Sequence, residues 1–173
     1  MEAYYLYSFF MVYDKIIMDG EIMKIEYSCG AVVYTVINGK RKYVIISNMK
    51  GIYGFPKGHM EKDETEKQTA LREIKEEIDL DVNMIDGFRA TETIKKGEQR
   101  IKYVTYFIAS YNDQKIKPKE GEISSIKLMS YDEAIKLFQF DSRKEVLRQA
   151  EDFLNNSFIK NKGVEKANEI RFK

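Results

Sequence analysis

Residues 58–80, GHMEKDETEKQTALREIKEEIDL, constrain this chain more than any other stretch. Ala70, Ile74 and Ile78 recur every fourth residue and Leu71 joins them, the spacing of one buried helix face. Glu73, Glu76 and Glu77 stand at i, i+3 and i+4, so their carboxylates gather on a neighbouring face. Like charges at that spacing destabilise a bare helix by about 0.2–0.5 kcal/mol per pair. A divalent cation neutralises them best, because Mg2+ takes oxygen ligands and bridges one or two carboxylates to substrate phosphates. The bland alternative is a solvated acidic helix face.

The upstream spacing argues against that alternative. Gly58, five residues, Glu64, seven residues, then Arg72-Glu73-Ile74-Lys75-Glu76-Glu77 fixes six positions. At ordinary residue usage they coincide by chance about once in a million starting points. The pattern resembles the signature of the Nudix hydrolases. One position departs from it: Asp79 stands where the family usually has Gly. A Gly there suits a left-handed helix end, which Asp tolerates less well but better than most residues. The change is expected to cost stability at the helix terminus and to leave the metal site intact.

A chain of 173 residues is long enough for one domain with a real core. Charged residues make up 33% yet sum to only +1, which gives no reason to expect bulk nucleic-acid affinity. The single Cys29 excludes an internal disulfide framework, and its apolar setting (Cys-Gly-Ala-Val-Val) reads as a small buried hydrophobe. One His and one Cys are too few soft ligands for zinc, which leaves oxygen chemistry. Residues 1–22 form an aromatic leader whose apolar run is too short to span a membrane. It lacks a basic n-region and a small-residue cleavage site. It is either an accessory strand or arm, or a start-site artefact upstream of Met23. The domain is expected over 23–155, with a polar, fraying tail over 156–173.

Residues 28–37 and 42–47 read as strands joined by an Asn38-Gly39 hairpin turn. Residues 48–60, with three of the ten glycines and Pro56, read as a loop that brings backbone close to a ligand. Asp63 and Glu66 are spaced as a capping box for the acidic helix. Strands are expected over 82–93, 101–110 and 123–129, with a polar turn over 95–100. Ser130 and Glu133 form a second box for a helix through Phe138, and Asp141 caps a last helix. Its apolar stripe is Val146, Leu147, Ala150, Phe153 and Leu154. Strands interleaved with helices predict an α/β/α sandwich around a mixed sheet, the fold that the resemblance also implies.

Nudix hydrolases cleave a nucleoside diphosphate linked to another group by attack of water on phosphorus. The resemblance implies that Glu73, Glu76 and Glu77 hold the metal ions, aided by the Gly58 carbonyl, and that Arg72 orients Glu73. It places Glu64 at the loop–helix junction. The general base is open between Glu77 and Glu122, and Glu122 competes with Glu120 as a further acidic ligand. The cofactor is expected to be Mg2+, with Mn2+ able to substitute. The phrase Phe-Pro-Lys-Gly-His over 55–59, with likeness over 27–154, resembles the asymmetrical diadenosine tetraphosphate hydrolases, which release ATP and AMP. On that resemblance Lys57 and His59 contact phosphates, and Arg100 and Lys102 meet the distal ones. Tyr53, Tyr103, Tyr106 and Phe140 are candidates for stacking on adenine. Tyr103 and Tyr106 fall on opposite strand faces, so one of them is core.

The expected partner is a nucleoside polyphosphate, with a cytoplasmic location and the choice between monomer and homodimer open. Hydrolysis at RNA 5′ ends and a non-catalytic nucleotide sensor are the rival functions. The first would need a local basic groove. The second usually carries a degenerate acidic box, which this chain does not.

Overall fold

The computed structural model describes residues 15–18 and 21–171. Strands β1 (Lys15–Met18), β2 (Glu21–Ile37), β3 (Lys40–Asn48), β4 (Tyr53–Gly54) and β5 (Lys57–His59) precede helix α1 (Glu66–Ile78). Then come β6 (Asn83–Lys95), β7 (Arg100–Ser110), β8 (Ile123–Met129), α2 (Tyr131–Leu137) and α3 (Asp141–Arg171). The sheet runs β4-β3-β2-β7-β6, with β1 and β5 also pairing with β2, and β8 with β3. β2 and β7 are parallel while the other pairs are antiparallel, so the sheet is mixed. At the β2–β3 turn Asn38 and Gly39 both take positive φ, 51° and 73°, as a two-residue hairpin requires.

The period of two along the strands separates two cores. Cys29, Ala31 and Val33 of β2 pack with Phe107 and Ala109 of β7 beneath Ala70, Ile74 and Ile78 of α1. On the opposite face Val32, Tyr43, Val104, Tyr106 and Ile108 meet Ala134, Phe138, Val146, Leu147, Ala150 and Leu154 from the C-terminal helical region. The sandwich is thus helix, sheet, helix. Tyr106 is the core member of the pair left open above. Burial pushes the Cys29 thiol up to about 12, which suits an inert core cysteine.

Several local expectations are corrected. The α1 capping box is Thr65 with Gln68: Gln68 N donates to Thr65 Oγ1 at 3.3 Å, and Thr65 N donates to Gln68 Oε1 at 2.8 Å. Asp63–Glu66 has the same spacing, but the Glu66 carboxylate is held by Arg89 at 2.7 Å, and Asp63 sits in the preceding turn with φ 67°. Leu71 is 41% exposed, because the buried arc of α1 is rotated toward Thr69 and Glu77. Residues 48–60 are not wholly loop, since β4 and β5 both pair with the sheet. Asp141 is the first residue of α3 and not its cap; the Phe140 carbonyl accepts from Arg143 N and Lys144 N. The helix does not end near Asn155 but continues to Arg171, through a polar stretch rich in Lys and Asn. From the leader, Lys15–Met18 pairs with the start of β2 as an accessory strand, while residues 1–14 lie outside the described residues.

Candidate active site

β5 lays residues 57–59 against β2, where Gly58 pairs with Cys29. α1 packs so closely that a Cβ on Gly58 would overlap the Glu73 carboxyl group. A side chain there would turn the Glu73 carboxyl out of its present place. Arg72 ties the helix to this strand. Its Nε and Nη2 donate to Glu64 at 2.7 and 2.9 Å, and Nη2 also donates to the His59 carbonyl at 2.9 Å. Its Nη1 donates to Glu73 Oε1 at 2.7 Å and Glu76 Oε1 at 3.4 Å. Glu64 therefore stands at the loop–helix junction, where the Arg72 guanidinium holds its carboxyl down at about 2.

Glu77 behaves differently. It is buried, and the Lys57 backbone N–H donates to its Oε2 at 2.9 Å. Burial pushes its pKa up to about 7; Lys57 opposes the rise, while Glu73 and Glu122 add to it. A cleft of about 510 Å3 brings Glu77, Glu122, Lys57, Lys96 and Arg143 onto one wall system. Glu122 pairs with Lys119 at 2.8 Å, and Lys119 also stands 3.7 Å from Glu76. Glu120 is exposed and does not line the cleft.

Among the described residues no three acidic groups converge closely enough to enclose an ion in their present rotamers. The donor set nevertheless fits a hard divalent cation. All the donors are oxygens, Glu73 meets Arg72 through Oε1 alone, and Glu77 is a carboxyl whose pKa is raised first by burial and then by Glu73 and Glu122.

The remaining candidates divide by sheet face. Lys102 is buried, and burial, then Lys57 and Lys96, bring its pKa down to about 8. Arg100 is exposed, 4.0 Å from Glu26. His59 is exposed too, with Nε2 3.5 Å from Glu26, and Lys96 reaches the same carboxylate at 3.2 Å. Tyr103 stacks on Tyr27 at 5.9 Å on the α1 face, away from Lys102. Tyr53 takes Lys127 over its ring at 5.0 Å, and Phe140 is 46% exposed beside Arg143. Sequence reasoning missed Glu26, Lys96, Glu92 and Arg143. Glu92 was detectable as a charge on the apolar alternation Ala90-x-Glu92-x-Ile94. Arg143 was detectable three and four residues before Val146 and Leu147, on the stripe of α3.

Fold and site together define a NUDIX domain, and its family model matches residues 27–150; the chain belongs to the Nudix family. Members of that family generally use a divalent metal. The bis(5′-nucleosyl)-tetraphosphatase [asymmetrical] of Sus scrofa is 31% identical over 139 residues, covering 73% of this chain and 94% of that protein. Its Mus musculus counterpart is 27% identical over the same shares. A crystal structure of a C. elegans Ap4A hydrolase binary complex superposes with a TM-score of 0.71 at 24% identity, covering 76% of this chain and 98% of that one. The NUDIX domain of Shewanella oneidensis NrtR, complexed with ADP ribose, has the same fold at a TM-score of 0.61 and 17% identity, over 75% and 88% of the two chains. Among the described residues no helix is long and apolar enough to cross a membrane.

Proposed function

We propose that this chain hydrolyses diadenosine tetraphosphate to ATP and AMP in the cytoplasm, with Mg2+ as cofactor and Mn2+ able to replace it. The observation that carries the reading is Glu77: a buried carboxyl, raised to about 7, on the wall of a cleft that also presents Lys57 and Glu122. The asymmetrical tetraphosphatases similar to this chain support the choice of substrate.

Glu73, Glu76, Glu77 and Glu122 hold the ions, with the Gly58 carbonyl assisting. Bound there, divalent metal screens the polyphosphate and makes water a better nucleophile. Glu77, which lines the cleft with Lys57, receives the proton of the attacking water, and Glu122 is its alternate. Arg72 fixes Glu73 and the loop in one geometry. Lys57 and Lys102 balance phosphate charge, with His59 and Arg100 outside them; Tyr53, Tyr103 and Phe140 offer rings to the nucleobases.

Purified protein with Mg2+ should release ATP and AMP from diadenosine tetraphosphate. Glu76→Gln and Glu77→Gln should each lower kcat by orders of magnitude. A panel of dinucleoside polyphosphates, nucleoside triphosphates, nucleotide sugars and triphosphorylated RNA tests the substrate. Preference for RNA, or unchanged turnover in both variants, would overturn the reading.

A further inference from the structure

Arg143 lies in the first turn of α3, and only 9% of its side chain is exposed. Its guanidinium lies flat on Gly54, whose Cβ position is 3.4–3.5 Å from Nη1, Cζ and Nε. The Phe140 ring centroid is 5.1 Å from Cζ. Nη1 donates to the Tyr53 carbonyl at 2.5 Å. Nε is buried 3.5 Å from Glu92 Oε1 without hydrogen-bond geometry. Glu92 in turn accepts from Ser142 Oγ at 2.7 Å and Tyr106 OH at 3.2 Å. The guanidinium is therefore anchored by its face and by Nη1, no hydrogen bond holds Nη2, and the residue lines the cleft that also holds Lys57 and Glu77.

We propose that Arg143 is a substrate-binding residue that donates from its unbonded edge to a phosphoryl oxygen of the polyphosphate. The proposal rests on the polyphosphate reading of the cleft. Lys50, Lys57, Lys96 and Arg143 outnumber Glu77 and Glu122 on its walls, an excess that favours an anion over a neutral base. Gly54 and Lys57 are at most about 10 Å apart along the chain, so one extended polyphosphate can meet both groups. Gly54 and Phe140 occupy contacts around the guanidinium, and a charged N–H edge is the part suited to phosphate oxygens.

The test uses Arg143→Gln, Arg143→Lys and the double variant Glu92→Gln/Arg143→Gln, which leaves no unpaired buried carboxylate. The KM for diadenosine tetraphosphate and the affinity for inorganic tripolyphosphate, measured by calorimetry with Mg2+, are compared with those of the unmodified protein. Arg143→Gln should weaken both by a common factor, about 10- to 100-fold, with kcat little changed. Arg143→Lys should recover part of the loss, and the double variant should repeat it. A raised KM with tripolyphosphate binding unaffected would place the contact on a base or ribose and overturn the proposal. No change in either would make Arg143 purely structural. Because tripolyphosphate binding is read without turnover, an inactive unmodified protein would defeat the proposed reaction and still leave Arg143 tested.

Discussion

The two faces of the sheet solve opposite electrostatic problems. Under α1 the sheet is apolar, and the acids sit along the helix margin, where Arg72 gathers Glu64, Glu73 and Glu76 within one short stretch of chain. Under α3 the charges are inside. Lys102 and Glu92 rise from β7 and β6 among Val104, Tyr106 and Ile94, and Arg143 closes on Glu92 from the helix. Buried ions of this kind add little stability over a well-packed apolar core, so their presence argues for a ligand that needs them. On the function proposed above, one face accepts cations and the other meets the anion those cations accompany. The cleft joins them, with Glu77 and Arg143 both among its lining residues.

The sharpest way to break this division is Gly58→Ala. The new methyl group would overlap the Glu73 carboxyl, forcing Glu73 out of its place. Activity on diadenosine tetraphosphate should fall by more than about a hundredfold, while stability changes little because the displaced group is the tip of a flexible side chain. Steady-state kinetics and thermal melts check both. Normal turnover would mean that the acidic face needs no such close fit. Lys102→Met tests the other face. It removes a buried cation while keeping an unbranched stem, so Tm should hold or rise while KM rises about tenfold. An unchanged KM would reduce the buried charges under α3 to a structural role.

A smaller effect separates the faces by pH. The Glu77 carboxyl, at about 7 in the fold, exceeds its ordinary value of 4.5, so the metal-free protein binds that proton more tightly than the unfolded chain does. This contribution to stability is full below about pH 4.5 and is lost as pH rises through about 7. Metal binding requires the ionised form, so Mg2+ affinity should gain up to about tenfold per pH unit until pH 7 and then level off. Thermal melts with and without Mg2+ should show a larger metal-induced shift at pH 8 than at pH 6. Equal shifts at both would remove Glu77 from the ion's ligands.

The difference between the faces also explains what could be read from the sequence. A helix brings residues three and four apart together, so Arg72, Glu73, Glu76 and Glu77 declare their grouping in linear order. The β2–β3 hairpin and the α/β/α layering were legible for the same reason, as local periodicity and turn chemistry. The Glu92–Arg143 contact joins residues about fifty positions apart across two elements, and no spacing rule predicts it. Its only trace was a charge on each of two apolar patterns. The capping of α1 was misread because Asp63-x-x-Glu66 and Thr65-x-x-Gln68 overlap. The choice between them was made by Arg89, which takes Glu66 from another strand.

The smallest test concerns Asp79 at the end of α1. The residue is left-handed, with φ 52° and ψ 38°, the conformation in which Gly costs least. In compensation its carboxylate pairs with Lys75 at 2.8 Å and Lys117 at 3.0 Å, and these lysines hold its pKa down at about 2. The same corner is fastened by backbone: Lys117 N donates to the Ile78 carbonyl at 3.1 Å and Lys119 N to that of Glu77 at 2.9 Å. Asp79→Gly therefore exchanges backbone strain for the loss of two exposed ion pairs. The ion pairs are screened by salt and the strain is not. At low ionic strength the two proteins should melt together, and at about 1 M salt the glycine variant should melt about 2 °C higher. A difference that ignores salt would mean that the lysines contribute nothing at this corner. The approach of residues 117–122 to the acidic face, and with it the placement of Glu122, would then depend on the backbone hydrogen bonds alone.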